Sequence, residues 1–223
     1  MIVYIWSNHH NVMKKALQFV CIASSLFIPV ISFAQIRGST TINLGAGYSY
    51  FLSQVNISAL GGQASTVTNS STPVLNGTLD YGYSHKITIG IGAAYQSATI
   101  HYMDYLNSTS GQQENFDEKL TRMNAGVRLL LHFSQEPKLD AYTGPRVGVS
   151  LWQDQNNADD PNFVAAKGSV VLPSFQWLVG LRGYVSSAFG LHLEFGIGTP
   201  YLVEGGITIK FGGTAGDGFH GRN

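Results

Sequence analysis

Eight stretches of the chain alternate apolar with polar residues, and the polar set on each holds ionised groups, amides or glycines. The last, Val203 to Phe211, sets Val203, Ile207, Ile209 and Phe211 against Glu204, Gly206, Thr208 and Lys210. A period of two places these sets on opposite faces of a strand. A soluble barrel turns its apolar set inward around a core, but carboxylates, guanidinium groups and glycines must here fill the inside. That is the pattern of a closed barrel whose outer solvent is lipid, and the fold class it predicts is all-β: an eight-stranded antiparallel up-and-down transmembrane β-barrel.

The same division repeats along the chain. Ile42, Leu44, Ala46, Tyr48 and Tyr50 oppose Asn43, Gly45, Gly47 and Ser49, while Leu75, Leu79, Tyr81 and Tyr83 oppose Asn76, Thr78, Asp80 and Gly82. Ala125, Val127, Leu129, Leu131 and Phe133 oppose Asn124, Gly126, Arg128 and His132, and Leu191, Leu193, Phe195 and Ile197 oppose His192, Glu194, Gly196 and Gly198. Leu130 and Leu178 fall on the inward side, and Pro145, which cannot donate to a ladder, predicts a bulge or kink.

The predicted strands are Thr40 to Phe51, Val74 to Ser84, Ile87 to His101, Lys119 to Phe133, Leu139 to Trp152, Ser174 to Val185, Gly190 to Gly198 and Leu202 to Phe211. Tight turns at Ser84 to Lys86, Ser134 to Lys138 and Ser186 to Phe189 alternate with long polar loops at 52–73, 103–118 and 153–173. Short turns belong on the periplasmic side and long loops outside, which puts both termini of an eight-stranded barrel in the periplasm.

The N-terminal segment sets the compartment. Met13-Lys14-Lys15 is a basic n-region, Ala16 to Ser32 is apolar, and Ser32-Phe33-Ala34 is a small-x-small cleavage site. Residues 1–34 read as a Sec signal peptide, with 1–12 an over-extended start before Met13. A single transmembrane helix competes for this run, but Pro29, the serines and the small-residue exit favour the signal. The barrel domain is then 35–211, followed by a glycine-rich periplasmic tail, 212–223, expected to be disordered. The one cysteine, Cys21, lies in the apolar run and leaves with it, so the mature chain relies on its backbone ladder rather than on disulfides.

Composition bounds the rest. With 223 residues, 44% hydrophobic and 12% charged, the chain supplies one domain. Its formal net charge of zero gives a nucleic-acid partner no electrostatic footing. The inward charges are Arg128, Arg146, Arg182 and Lys210 against Asp80, Asp140, Glu194 and Glu204. An eight-stranded barrel has room inside only for side chains, so this balance predicts a salt-bridged plug rather than a wide pore. Tyr48, Tyr50, Phe175 and Trp177 toward the long-loop end, with Tyr81, Tyr83, Phe133 and Phe211 toward the other, form two aromatic belts at headgroup level.

Several residue patterns then carry a resemblance. Tyr142-Thr143-Gly144-Pro145-Arg146-Val147-Gly148, the run Phe189 to Gly198, and a final strand ending Ile209-Lys210-Phe211 resemble the small outer-membrane β-barrel family of OmpX- and OmpW-like proteins over residues 40–211. The resemblance implies location in the outer membrane, contact with its lipid and lipopolysaccharide, delivery by the Sec and barrel-assembly machineries, and a monomer. It identifies architecture better than activity, because the family includes adhesion or defence proteins, channels for small or hydrophobic molecules, and lipid A enzymes. The chain departs from the family by continuing past Phe211.

Enzymatic, metal and cofactor readings fit less well. His132-Phe133-Ser134 resembles the His-x-Ser pair of lipid A deacylases, yet it falls at the periplasmic turn, away from that substrate. His101 and Asp104 lie at the outer end, with no serine following them until the loop residues Ser108 and Ser110. Asp154 to Asp160 begins like a calcium loop, but Ala158, Asp159 and Ala165 occupy positions that need a ligand, a glycine and a bidentate glutamate. No cofactor is expected. The sequence reading is a closed barrel displaying its loops for interaction or envelope integrity, with a narrow channel as the alternative. Cysteines placed in 52–73 should react with an impermeant thiol reagent on whole cells, and one at Lys138 should not. The reverse pattern would invert the orientation.

Overall fold

The computed structural model describes residues 37–49, 64, 66–133, 138–163 and 169–212. The signal peptide, Tyr50, Ser134 and the tail beyond Gly212 lie outside the described residues. Nine strands are described: β1 (Thr40–Tyr48), β2 (Thr66–Ser71), β3 (Val74–Gly82), β4 (Ile87–Leu106), β5 (Gln113–His132), β6 (Leu139–Asn156), β7 (Val170–Tyr184), β8 (Phe189–Gly198) and β9 (Val203–Phe211). Each pairs antiparallel with its neighbours, and β1 meets both β3 and β9, which closes the sheet on itself. β3 pairs with the lower part of β4 and β2 with its upper part, so these two form one stave broken at Thr72 and Pro73. The barrel therefore has eight staves. Closure satisfies the backbone groups within the wall, the condition a strand must meet to cross lipid.

The outward face of the lower barrel is apolar and bare. Leu44, Leu79, Ile91, Val127, Leu129, Val147, Val179, Leu193 and Phe195 are all exposed. In water this surface would be a large unpaired apolar patch, but hydrocarbon makes it the solvated side. Inside stand Asn43, Asp80, Arg128, Arg146, Gln176, Arg182, Glu194 and Thr208, each buried. Leu130 and Leu178 also point inward, where they pack with Tyr142 in a small apolar cluster.

Pro145 makes no bulge. β6 pairs with β7 without a break through Gly144, Pro145 and Arg146, and the pairing with β5 merely lapses between Arg128↔Arg146 and Leu131↔Thr143 before resuming in the same register. No residue is inserted, because the imino nitrogen costs only a donor locally.

The long loops are shorter than the sequence pattern implies. β2 lies within 52–73, β4 and β5 run on to leave only 107–112 as their connection, and β6 and β7 reduce the third loop to 157–169. The physical reason is a change of solvent. Above Gln96 and Arg122 the inward residues become apolar, with Ala98, Ile100, Tyr102, Phe116 and Leu120 buried, while Ser97, Thr99, His101, Thr121 and Lys119 face out. The strands keep their period but exchange their faces, as a water-surrounded sheet must. They continue as a tower with its own core, in which the Tyr102 and Phe116 rings stack at 4.7 Å and Phe163 packs edge-on against Phe116 at 4.9 Å.

Asp160 fastens the top of this tower. Its carboxylate accepts hydrogen bonds from the Ser108 N–H at 2.7 Å, the Asn162 N–H at 3.0 Å, and the hydroxyls of Ser108 at 3.0 Å and Thr109 at 3.3 Å. Burial pushes the carboxyl up, but these donors outweigh it and hold Asp160 at about 2, below its ordinary 3.8. A carboxyl so lowered stabilises the contact fully above its unfolded value, and that support is lost as pH falls through about 2. Amide-exchange protection of Ser108 and Asn162 should therefore hold down to about pH 4 and then decline, whereas Asp160→Asn should weaken it at every pH.

A second outcome follows from the two faces. Leu129→Arg or Val147→Arg should cost about 2 to 4 kcal/mol near the bilayer midplane, and Gln153→Arg on the tower wall less than about 1 kcal/mol, measured by urea unfolding in vesicles. Equal costs would contradict the placement of lipid.

Candidate functional site

The lumen is filled from one end to the other. Arg128 lies at its centre, donating from Nε to Asp80 Oδ1 at 2.7 Å and from one terminal nitrogen to Glu194 Oε1 at 3.0 Å, with its other terminal nitrogen on Asp80 Oδ2. Arg182 donates to the same Asp80 and to Asp140 Oδ2 at 3.3 Å. His132 ends the chain of contacts toward the short turns, with Nδ1 2.6 Å from Asp140 and Nε2 2.8 Å from Thr88. Glu194 also accepts the hydroxyls of Tyr142, at 2.6 Å, and Tyr201. Every member of this network is buried.

Two of the predicted cations stand apart from the ion pairs. Arg146 donates to the amide oxygens of Asn76, at 3.1 Å, and Asn124, at 3.0 Å, and reaches no carboxylate within salt-bridge distance. Lys210 lies 4.2 Å over the Tyr184 ring, where the aromatic face supplies partial compensation. Glu204 accepts from the Asn76 amide, at 2.9 Å and 3.0 Å, and lies 3.3 Å from His192. The one-to-one match of four cations with four anions is thus replaced by a central cluster of Arg128, Arg182, Asp80, Asp140 and Glu194, flanked by amides. Asparagine can do this because its oxygen accepts from Arg146 while its nitrogen donates to a carboxylate or hydroxyl.

Glycines make the room. A Cβ at Gly92 would lie 3.3 Å from the Arg146 guanidinium carbon, and one at Gly180 would be 2.4 Å from the Tyr142 ring. The Arg182 guanidinium in turn lies 4.3 Å over that same ring. Small residues on one wall thus accept long ones from another.

Sequence reasoning missed Arg122 and Glu118, both buried. Arg122 caps the polar lumen, donating to Ser49 Oγ at 3.2 Å just beyond β1, to Gln96 Oε1 at 2.8 Å on β4 and to the Pro200 carbonyl in the β8–β9 connection, with Trp152 beside it. Glu118 accepts the Tyr102 hydroxyl at 2.8 Å within the tower. Parity with Asn124 and Arg128 places both inward. The outward polar residues Thr121 and Lys119 obscured that signal.

The described aromatic residues among those assigned to belts face outward. Tyr48, Phe175 and Trp177 are exposed toward the tower, and Tyr81, Tyr83, Phe133 and Phe211 toward the short connections. Thr40 pairs with both Tyr81 and Phe211, which sets those two at one height on the staves flanking β1. Trp177 directs its indole N–H to Thr143 Oγ1 at 3.1 Å, satisfying a donor that hydrocarbon would leave bare.

The chemistry-bearing candidates are separated. His132 has both ring nitrogens engaged inside the lumen. His101 pairs with Asp117 at 2.6 Å rather than with Asp104, beside a recess of about 340 Å³ that Asp104, Asn115 and Asn157 also line. Among the described residues, no group of three or more His, Cys, Asp or Glu side chains could hold a metal ion.

No protein-family model matches the chain, and no curated protein matches it in sequence. Three solved structures are similar to it. The N-terminal β-barrel domain of OprF from Pseudomonas aeruginosa is 14% identical, covering 79% of this chain and 100% of that one, with a TM-score of 0.43. The outer membrane protein OprG from Pseudomonas aeruginosa is 11% identical over 81% and 99%, with a TM-score of 0.48. Ail, the attachment invasion locus protein of Yersinia pestis, is 9% identical over 79% and 100%, with a TM-score of 0.38. The chain itself is a closed eight-stranded antiparallel β-barrel. At these identities no residue role passes from them to this chain.

Removing one partner from the central cluster strands the others. Glu194→Ala and Arg128→Ala should each cost about 3 to 5 kcal/mol and lower the heat-resistant, gel-shifted fraction. Arg146→Ala, which leaves only amide oxygens unpaired, should cost about 1 to 3 kcal/mol. An Arg146→Ala loss equal to that of Arg128→Ala would contradict this division.

Proposed function

We propose that the chain is an outer-membrane anchor, closed to permeation, that holds its tower outside the cell for interaction or envelope integrity. The observation that carries this reading is the filling of the lumen, from His132 through Arg128 to Arg122, by buried side chains that are each hydrogen-bonded to a neighbour. Eight staves bring both ends of the barrel wall to one side, and the short connections 83–86 and 185–188 lie there, so that side is read as periplasmic. The tower, with polar walls and an apolar core, fits the opposite compartment. Lipid and lipopolysaccharide surround the wall, and a monomer suffices because closure leaves the band without an edge to pair. A non-catalytic role accords with His132, whose ring nitrogens are committed to Asp140 and Thr88.

Planar-bilayer recording with a lipid A mass analysis tests this directly. The unmodified barrel should pass no steady current and leave lipid A unchanged. A steady current whose selectivity shifts with Arg122→Ala or Glu194→Ala would move the assignment to a narrow channel, and altered lipid A would move it to an enzyme.

A further inference from the structure

The two rims of the barrel differ in charge. Residues 37–39 and the short connections 83–86, 133–138 and 185–188 hold Arg37, Lys86 and Lys138 against one acid, Glu136, which lies outside the described residues. All three cations are exposed, whereas Asp80 and Asp140 on the adjoining strands are buried in the lumen network. At the other rim Thr72, Ser97, Thr121 and Gln153 form an uncharged row across neighbouring staves. The tower above that row sets Asp104, Glu114, Asp117, Asp154 and Asp159 against Lys119. An anion is thus attracted at one end and repelled at the other.

The backbone fixes where the cations stand. Beside Arg37, the Gly38 N–H donates to the Gly82 carbonyl at 2.9 Å; the Lys86 carbonyl accepts from His132 at 2.9 Å and the Lys138 carbonyl from Tyr184 at 2.7 Å. These bonds pin the cations at the lower ends of β1, β4 and β6. Thr40, level with Tyr81 and Phe211, is only three residues from Arg37, so the charges lie just past the aromatic residues, where phosphates lie in a bilayer. Directly above them Ile89, Leu131 and Leu139 begin the exposed apolar wall. Long basic side chains can lie along such a wall and present their charge at its margin.

We infer that the short-turn rim, on the arc from β1 to β6, selects anionic phospholipids. Arg37, Lys86 and Lys138 hold the headgroup phosphates while the acyl chains lie on the adjoining apolar wall. A soluble anion or a cell-wall polymer would use the cations and leave the wall aside, whereas a phospholipid engages both. The arc at 185–188 is uncharged, with Val185 74% exposed, and is not selective. Each Lys or Arg beside an anionic lipid surface contributes roughly a factor of five. The orientation proposed above assigns this rim to the periplasmic leaflet, but the selectivity does not depend on it.

The test uses the full barrel in phosphatidylcholine nanodiscs doped with spin-labelled phosphatidylglycerol or, separately, spin-labelled phosphatidylcholine, the nitroxide near the headgroup in each. The anionic probe should broaden the amide signals of Lys86 and Lys138 about fivefold more than those of Ser97 and Thr121, and the zwitterionic probe should affect both rims alike. High salt should weaken the excess. Joint replacement Arg37→Gln, Lys86→Gln and Lys138→Gln should remove it and keep the gel-shifted barrel. Ser187→Lys should extend it to the bare arc, a gain that can be read even if the triple variant fails to fold. Equal broadening of the two rims by the anionic probe, or an excess that survives the triple replacement, would overturn the selectivity. Loss of the excess on adding soluble peptidoglycan fragments would give the rim to the cell-wall polymer instead. None of these readouts involves conductance or orientation in the cell, so failure here is separable from failure of the closed-barrel reading.

Discussion

A guanidinium group cannot shed its charge, and inside this barrel it has little water to share it with. That constraint organises the interior. Arg128 must find carboxylates, so Asp80 and Glu194 converge on it from different staves; Arg182 must do the same, and it shares Asp80 and adds Asp140. The carboxylates have lone pairs left over, which recruit Tyr142, Tyr201 and Asn43. Each added partner removes free volume from the lumen. The closed interior is thus a consequence of satisfying buried charge rather than a separate feature.

The wall shows a matching logic with two solvents. Alternation persists along β4 as far as Tyr102, but the apolar face points outward below Gln96 and inward above it. One backbone thereby serves as a lipid-facing stave and as half of a water-facing sandwich, and the exchange of faces marks where hydrocarbon ends. Arg122 sits at this boundary, as polar lumen gives way to aromatic core.

Most of the barrel was legible because a period of two fixes faces without any knowledge of pairing. Strand number, inward arginines and the tight turns all follow from it. The tower was not legible in that way, since Tyr102, Phe116 and Leu120 lie on the face expected to be polar, and a criterion demanding apolar residues outward reads Asp117 and Gln153 as loop. The network could be read only as a list of charges. Which carboxylate meets which arginine depends on side chains reaching across the lumen from distant staves, as Arg182 reaches Asp80, and alternation along one strand holds no information about that distance. Arg146 illustrates the limit: by charge it belonged with the ion pairs, yet Asn76 and Asn124 lie closer.

Gly92 and Gly180 are empty only because Arg146 and Tyr142 occupy their space from elsewhere in the sequence. The lumen therefore behaves as a set of volume pairs, in which one position can grow only when its counterpart shrinks. Lipid-facing positions have no such counterpart, since hydrocarbon chains rearrange around any apolar shape. Change over evolutionary time should accordingly proceed singly on the outside of this barrel and in compensated couples on the inside, giving the two faces of one strand different histories.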